Sequence, residues 1–216
     1  MRTLPFLSDR LRWVRQSLLR CGLAMLTSGA AGCASSKGFK IKDAPSGFAE
    51  VESWQGHARY KAGDDVGLRI DAIRNVKGGT LEYWAEDLVD KLAERGYTLK
   101  TQIPVHDKRG RTGTRFDFSY RSPTSGEDKF FTTVLFTTDD WRVIVQVAGD
   151  AALSSKLEGR VDDVLGQLRV RGCRPGSSVC NSPQPPSLVG KYPAADLPTL
   201  VNAEGASVAM DMPEAR

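Results

Sequence analysis

Apolar residues recur in two different rhythms between residues 38 and 170. From Leu81 to Leu92 they fall at three- and four-residue steps, as Leu81, Trp84, Ala85, Leu88 and Leu92, which places one stripe along an α-helix. Thr80 stands where an N-cap hydroxyl accepts a backbone N–H, and Gly96 where a helix needs a left-handed residue after its end. The spacing therefore predicts a helix ending at Arg95. Leu153, Leu157, Val161, Val164, Leu165 and Leu168 predict a second helix capped by Asp150. Gly159 and Gly166 interrupt it at about 1 kcal/mol each relative to Ala, so packing of the stripe has to outweigh them. Elsewhere apolar and polar residues alternate, predicting strands over 97–103, 112–120, 129–138 and 141–148. Residues 58–62 and 66–74 make an earlier hairpin about Gly63-Asp64-Asp65. Pro123-Thr124-Ser125-Gly126 and Asp139-Asp140 are connections short enough to keep neighbouring strands antiparallel.

A hairpin, a helix, four strands and a closing helix make an α+β domain. Its centre is an antiparallel sheet of about six strands covered by two main amphipathic helices. Phe130-Phe131-Thr132-Thr133-Val134-Leu135-Phe136 and Trp141-Arg142-Val143-Ile144-Val145-Gln146-Val147 form an aromatic-rich hairpin before the closing helix. In this element order, over roughly residues 45–170, the chain resembles the PsbP/DcrB-like family. The resemblance implies accessory, assembly-assisting or envelope roles, with one branch of bacterial lipoproteins. It implies no fixed catalytic residues, and fold analogy alone does not establish a function.

Both ends of the chain lack this rhythm. Residues 1–20 carry Arg2, Arg10, Arg12, Arg15 and Arg20 against one acid, Asp9. The apolar stretch from Cys21 to Ala31 is about 11 residues long, where a spanning helix needs roughly 20. It ends in Leu26-Thr27-Ser28-Gly29-Ala30-Ala31-Gly32-Cys33, which resembles the lipobox of bacterial lipoproteins. That resemblance implies a signal peptide over 1–32, cleavage after Gly32, a diacylglyceryl thioether on Cys33 and an acylated amino group, followed by a lipidated tether over 33–37. Ala34 and Ser35 include no aspartate, which in a Gram-negative source implies sorting to the outer membrane, facing the periplasm. A plain secretory signal and an ordinary N-terminal helix with a chance cysteine are the alternatives.

From 171 to 216 the chain holds seven of its eleven prolines and reads as a mostly disordered tail. Pro185-Pro186 is either a polyproline II ligand for a partner or part of a solvated extension. Cys173 and Cys180 would be the cysteines left free of leader and lipid. Their spacing suits one disulfide closing a small loop in an oxidising compartment, with two unpaired thiols as the alternative. They are too few ligands for a structural zinc, and no metal or other cofactor is expected.

The leader also dominates the charge. The whole chain carries a net charge of +4. Without residues 1–32, Lys plus Arg falls from 30 to 25 and Asp plus Glu from 26 to 25. The basic balance therefore gives no case for a nucleic-acid partner.

Chemistry-bearing motifs are few. The chain has no Gly-x-Ser-x-Gly elbow, phosphate-binding glycine loop or His-Glu-x-x-His helix. His106-Asp107 could contribute to a general base, and His57 beside Trp54-Gln55-Gly56 could line a ligand groove. A concave site holding either histidine with a close carboxylate would mark an enzyme assembled from residues distant in sequence. Asp64-Asp65, Asp139-Asp140 and Asp162-Asp163 suit turns and helix faces, not calcium loops. Lys108, Arg109, Arg111 and Arg115 cluster around Gly110 and Gly113 as candidate anion-binding residues, with phospholipid or lipopolysaccharide headgroups as ligands and a solvated turn as the alternative.

The leading reading is a membrane-anchored envelope lipoprotein that acts as a binding or accessory module for another envelope protein. The alternatives are a carrier or sensor of a small ligand, using Trp54, Tyr83, Tyr120 and Trp141, and an enzyme whose site carries no motif.

Overall fold

The computed structural model describes residues 38–196. The expected signal peptide, Cys33, the expected tether and the residues beyond Asp196 lie outside the described residues. Nine strands are described: β1 (Phe39–Lys40), β2 (Phe48–Trp54), β3 (His57–Ala62), β4 (Gly67–Arg74), β5 (Thr98–His106), β6 (Thr112–Arg121), β7 (Asp128–Thr137), β8 (Trp141–Asp150) and β9 (Arg169–Val170). Helix α1 spans Leu81–Ala93 and α2 spans Leu157–Gln167. Seven strands form one antiparallel sheet in the order β2-β3-β4-β8-β7-β6-β5, and β1 pairs with β9 separately.

The α+β class, the antiparallel sheet and the two covering helices are those the sequence predicts, but the sheet has seven strands, not six. The extra one is β2. Of its seven residues, Phe48 alone is buried, and a register shift between Glu50 and Glu52 breaks the alternation that would have marked it.

Each helix covers a different half of the sheet on opposite faces. Alternate side chains of a strand point to opposite faces. Ala58, Tyr60, Leu68, Ile70, Val143, Val145 and Val147 therefore pack on one side with Val161, Val164, Leu165 and Leu168 of α2. Leu99, Phe116, Phe118, Phe131, Leu135 and Ile144 pack on the other with Leu81, Ala85, Val89 and Leu92 of α1. Thr80 caps α1 as predicted, accepting from Tyr83 N at 3.3 Å.

Asp150 does not cap α2. Its carboxylate pairs with Lys129, residues Ala151–Lys156 form a 3-10 turn, and the helix begins only at Leu157 without a side-chain cap.

The stretch expected to be disordered is packed as far as Asp196. Gln102 Nε2 donates to the carbonyls of Pro185 at 3.1 Å and Pro186 at 3.0 Å, and Gln102 Oε1 accepts from Leu188 N at 2.9 Å. Leu188 is fully buried in the core under α1. Pro185 and Pro186 are thus held by the domain's own edge strand. Cys173 and Cys180 form the disulfide, with Cα atoms 6.0 Å apart.

Candidate functional site

Helix α1 leaves the β2-β3-β4 half of its sheet face uncovered, and the polar members of those strands' alternation point there. Arg59, Arg69 and Asp71 alternate with buried Ala58, Tyr60, Leu68 and Ile70. A two-residue turn, Gln55-Gly56, joins β2 to β3, with Gly56 at φ +81°, a conformation that an L side chain resists. Ala72 N donates to Gly56 O at 2.7 Å and ties the turn to β4. The result is a groove of about 410 Å³ lined by Glu52, Trp54, Gln55, Gly56, His57, Arg59, Arg69, Asp71, Ala72 and Ile73.

His57 is at its centre. It lies directly opposite Asp71 in the β3–β4 register, and its Nδ1 is 2.6 Å from Asp71 Oδ1. An ionised carboxylate only accepts, so Nδ1 is the donor in this contact and Nε2 is the nitrogen left facing Glu52 and the groove. Asp71 Oδ2 lies 2.7 Å from Arg69 Nε as an ion pair, although the N–H does not point at the oxygen, and Arg69 Nε has no hydrogen-bond acceptor. The three side chains are 14–19% exposed, whereas Glu52 and Arg59 on the rim are 49% and 55% exposed. Glu52 Oε2 stands 4.0 Å from His57 Nε2 and 3.7 Å from Arg59 Nη1. Trp54 leans over the imidazole, with centroids 5.7 Å apart, and is largely exposed. The groove thus offers one imidazole nitrogen, two guanidinium groups, two carboxylates and an aromatic face. It can bind a polar or charged partner, and Nε2 can accept a proton. None of the lining residues is a serine, threonine or cysteine nucleophile.

The other sequence candidates fall elsewhere. His106 ends β5, on the opposite edge of the sheet, and is exposed. Asp107 is buried and structural: Oδ1 accepts from Arg109 N and Arg111 N, both at 2.8 Å, and Oδ2 from Val170 N at 2.8 Å. His106-Asp107 is therefore no acid–base pair, because the carboxylate is committed to backbone donors. Arg115 is withdrawn from the anion-binding set. It lies buried in β6 with its Nε 2.8 Å from Asp117 Oδ1, and that carboxylate also accepts from Thr101 and Thr132. Lys108 and Arg109 remain exposed, and Arg111 is half-buried.

The four aromatics do not share a groove. Tyr83 packs edge-on to Trp84, Tyr120 stacks on Tyr97 at 4.4 Å, and Arg74 lies 4.8 Å over Trp141. Burial pushes the Tyr97 and Tyr120 hydroxyls above their ordinary pKa.

The paired acids serve the fold. Asp64 takes two hydrogen bonds from Arg160 of α2, at 3.0 and 2.6 Å, which hold its carboxyl below the usual range. Asp162 and Asp163 are exposed on α2. Asp139 accepts from Arg174 N and from Ser177 Oγ, both at 2.7 Å, inside the disulfide loop. Asp139, Cys173 and Cys180 could present three metal-ligand atoms, but both sulfurs are used in the S–S bond.

Sequence reading found His57 and missed Asp71, Arg69, Glu52 and Arg59. The alternation Leu68-Arg69-Ile70-Asp71 was the available signal. Counting back through the Gln55-Gly56 turn would have set Glu52 opposite Arg59.

No family model matches the chain, and no curated protein matches it. Solved structures overlap it loosely. A Bacteroides thetaiotaomicron protein is 14% identical with a TM-score of 0.39, covering 66% of this chain, which spans about half (50%) of that protein's length. Mycobacterium tuberculosis LpqN, described as involved in cell envelope biogenesis, is 12% identical with a TM-score of 0.39, over 63% of this chain and 87% of its own. The cyanobacterial PsbP of Synechocystis is 11% identical with a TM-score of 0.36, over 67% of this chain and 99% of its own. Among the described residues no helix is long and apolar enough to cross a membrane.

Proposed function

We propose that this chain is a lipid-anchored accessory module of the cell envelope that binds another envelope protein through the groove around His57. The anchor would be the acylated Cys33, with the domain facing the periplasm from the outer membrane in a Gram-negative source. One observation carries the binding surface. Among the described residues, half of a sheet face is left without a helix and is filled by Arg69, Asp71 and His57, which hold one another in place under a rim of Trp54, Glu52 and Arg59. Prearranged charges with an exposed tryptophan suit a partner presenting polar and ionic side chains, because orientation is already fixed before contact.

A photo-crosslinking residue replacing Arg59 in cells should capture a discrete partner, and the same residue replacing Arg121, at the far end of β6, should not. Equal capture from both positions, or none from Arg59, would sink the reading.

A second reading is favoured by the 2.6 Å contact between His57 and Asp71, which is the arrangement that makes an imidazole a general base. Turnover of any member of an ester, amide and glycoside panel, abolished by His57→Gln, would replace the binding module by an enzyme.

A further inference from the structure

We propose that the pole of the domain formed by the 107–111 turn and the β1–β9 pair is a membrane-contact surface for anionic phospholipid headgroups. Three chain segments meet there. Lys108 N donates to Leu168 O at 2.9 Å, Val170 N donates to the Asp107 carboxylate, Lys40 stands opposite Arg169, and Arg171 N donates to Gly38 O at 2.8 Å. Six cations, Lys40, Lys108, Arg109, Arg111, Arg169 and Arg171, are thereby gathered, and none forms an ion pair among the described residues. Most cations around the groove and the 63–65 turn are paired, Arg59, Lys61, Arg69 and Arg160 among them.

The arrangement works against the fold taken alone. Like charges directly opposite in a ladder are destabilising, and Lys40 against Arg169 is such a pair in a ladder of only two registered positions. Asp107, the acid in the turn, is buried and spent on three backbone N–H groups, so it fixes the loop without neutralising its rim. Gly110, at φ +75°, completes a tight turn that holds exposed Lys108 and Arg109 outward. A counter-charge from outside the domain is what this geometry lacks.

The length of chain leading to the pole says where that counter-charge comes from. Gly38 enters the domain beside Arg171, and only residues 34–37 separate it from Cys33. Five residue steps span at most roughly 17 Å, so an anchor at Cys33 keeps the cationic pole close to the bilayer. The orientation rests on the anchor proposed above, whereas the charge arrangement does not. Each exposed cation near an anionic leaflet is worth about a fivefold gain in partitioning at modest salt.

The test uses the chain from residue 34 onward, which includes all the described residues, with folding checked by circular dichroism. It should bind vesicles of phosphatidylcholine containing phosphatidylglycerol and show little binding to phosphatidylcholine alone. The double variant Lys108→Gln/Arg109→Gln should bind roughly 25-fold more weakly, and the wild-type binding should fall steeply with added salt. Binding that ignores phosphatidylglycerol, or that the double variant retains, overturns the proposal. So does displacement by inorganic phosphate beyond that of chloride at equal ionic strength, which would mark a discrete phosphate site instead of a surface. Intact mass of the native protein tests the anchor separately: an unacylated species would remove the tethered orientation and leave the vesicle result standing.

Discussion

The ladder between β4 and β8 divides one sheet face into two regions of opposite character. On the β8 side Ile144 is buried beneath α1, and directly across the ladder on β4 stands Asp71. One step along, Gln146 faces Arg69. Both regions obey the same alternation of inward and outward side chains, so strand pattern does not separate them. Coverage does. Phe116, Leu135 and Ile144 lie under α1 and Leu188, where burial of a large apolar side chain gains about 1.5–3 kcal/mol. His57, Arg69 and Asp71 lie where water reaches, and a charge buried there without partners would cost several kcal/mol. The covered region holds the fold, and the open one is free to carry a site.

Truncation in the two regions should separate them most sharply. Phe116→Ala leaves a cavity under α1 and should cost about 3–5 kcal/mol in urea unfolding. Arg59→Ala, on the open half of the same face, should stay within about 0.5 kcal/mol. A comparable loss from Arg59→Ala would show that the open half is part of the core after all.

The border of the covered region is drawn by a segment that composition disguises. Leu188 sits among Pro185, Pro186 and Ser187, a context that reads as solvated chain, yet its side chain is wholly buried. Leu188→Ala should therefore cost about 2–4 kcal/mol, as in a core and not a tail. A loss below about 0.5 kcal/mol would detach residues 171–196 from the domain and widen the open half towards β5.

These residues also show why part of the molecule was legible in sequence and part was not. Strands β3 to β8 and helix α1 announce themselves because each buries a regular stripe, and the Thr80 cap and the turns follow from local side-chain chemistry. β2 is an edge strand whose alternation is broken by a bulge, and β1 and β9 are two residues each, too short for any period. Pro185 and Pro186 are held by Gln102, a single polar side chain 83 residues from Pro185, and no local rule reports that pairing. The site divides in the same way. His57 was visible as a residue type beside a turn, whereas its partner Asp71 lies 14 residues on. Only the register of the β3–β4 hairpin brings them together, while the strand order puts His106 at the opposite edge of the sheet.

The smallest expected effect lies at the other boundary of the packed segment, where the disulfide loop meets the β7–β8 turn. Hydrogen bonds from Arg174 N and Ser177 Oγ hold the Asp139 carboxyl below its ordinary pKa. A carboxyl whose folded pKa is depressed stabilises the fold fully at pH above its unfolded value, and that contribution is lost as pH falls through the folded value. The wild-type urea midpoint should therefore drop on going from pH 7 to the acid side of the ordinary carboxylate range. Asp139→Asn cannot titrate, so it should show the smaller drop, with a difference below either core substitution. Asp64, Asp65 and Glu127, whose pKa values are also lowered, contribute equally to both proteins, so the difference isolates Asp139. Parallel acid profiles would mean that the Asp139 carboxylate does not hold this end of the segment, and the boundary of the covered region would then rest on Gln102 and Leu188.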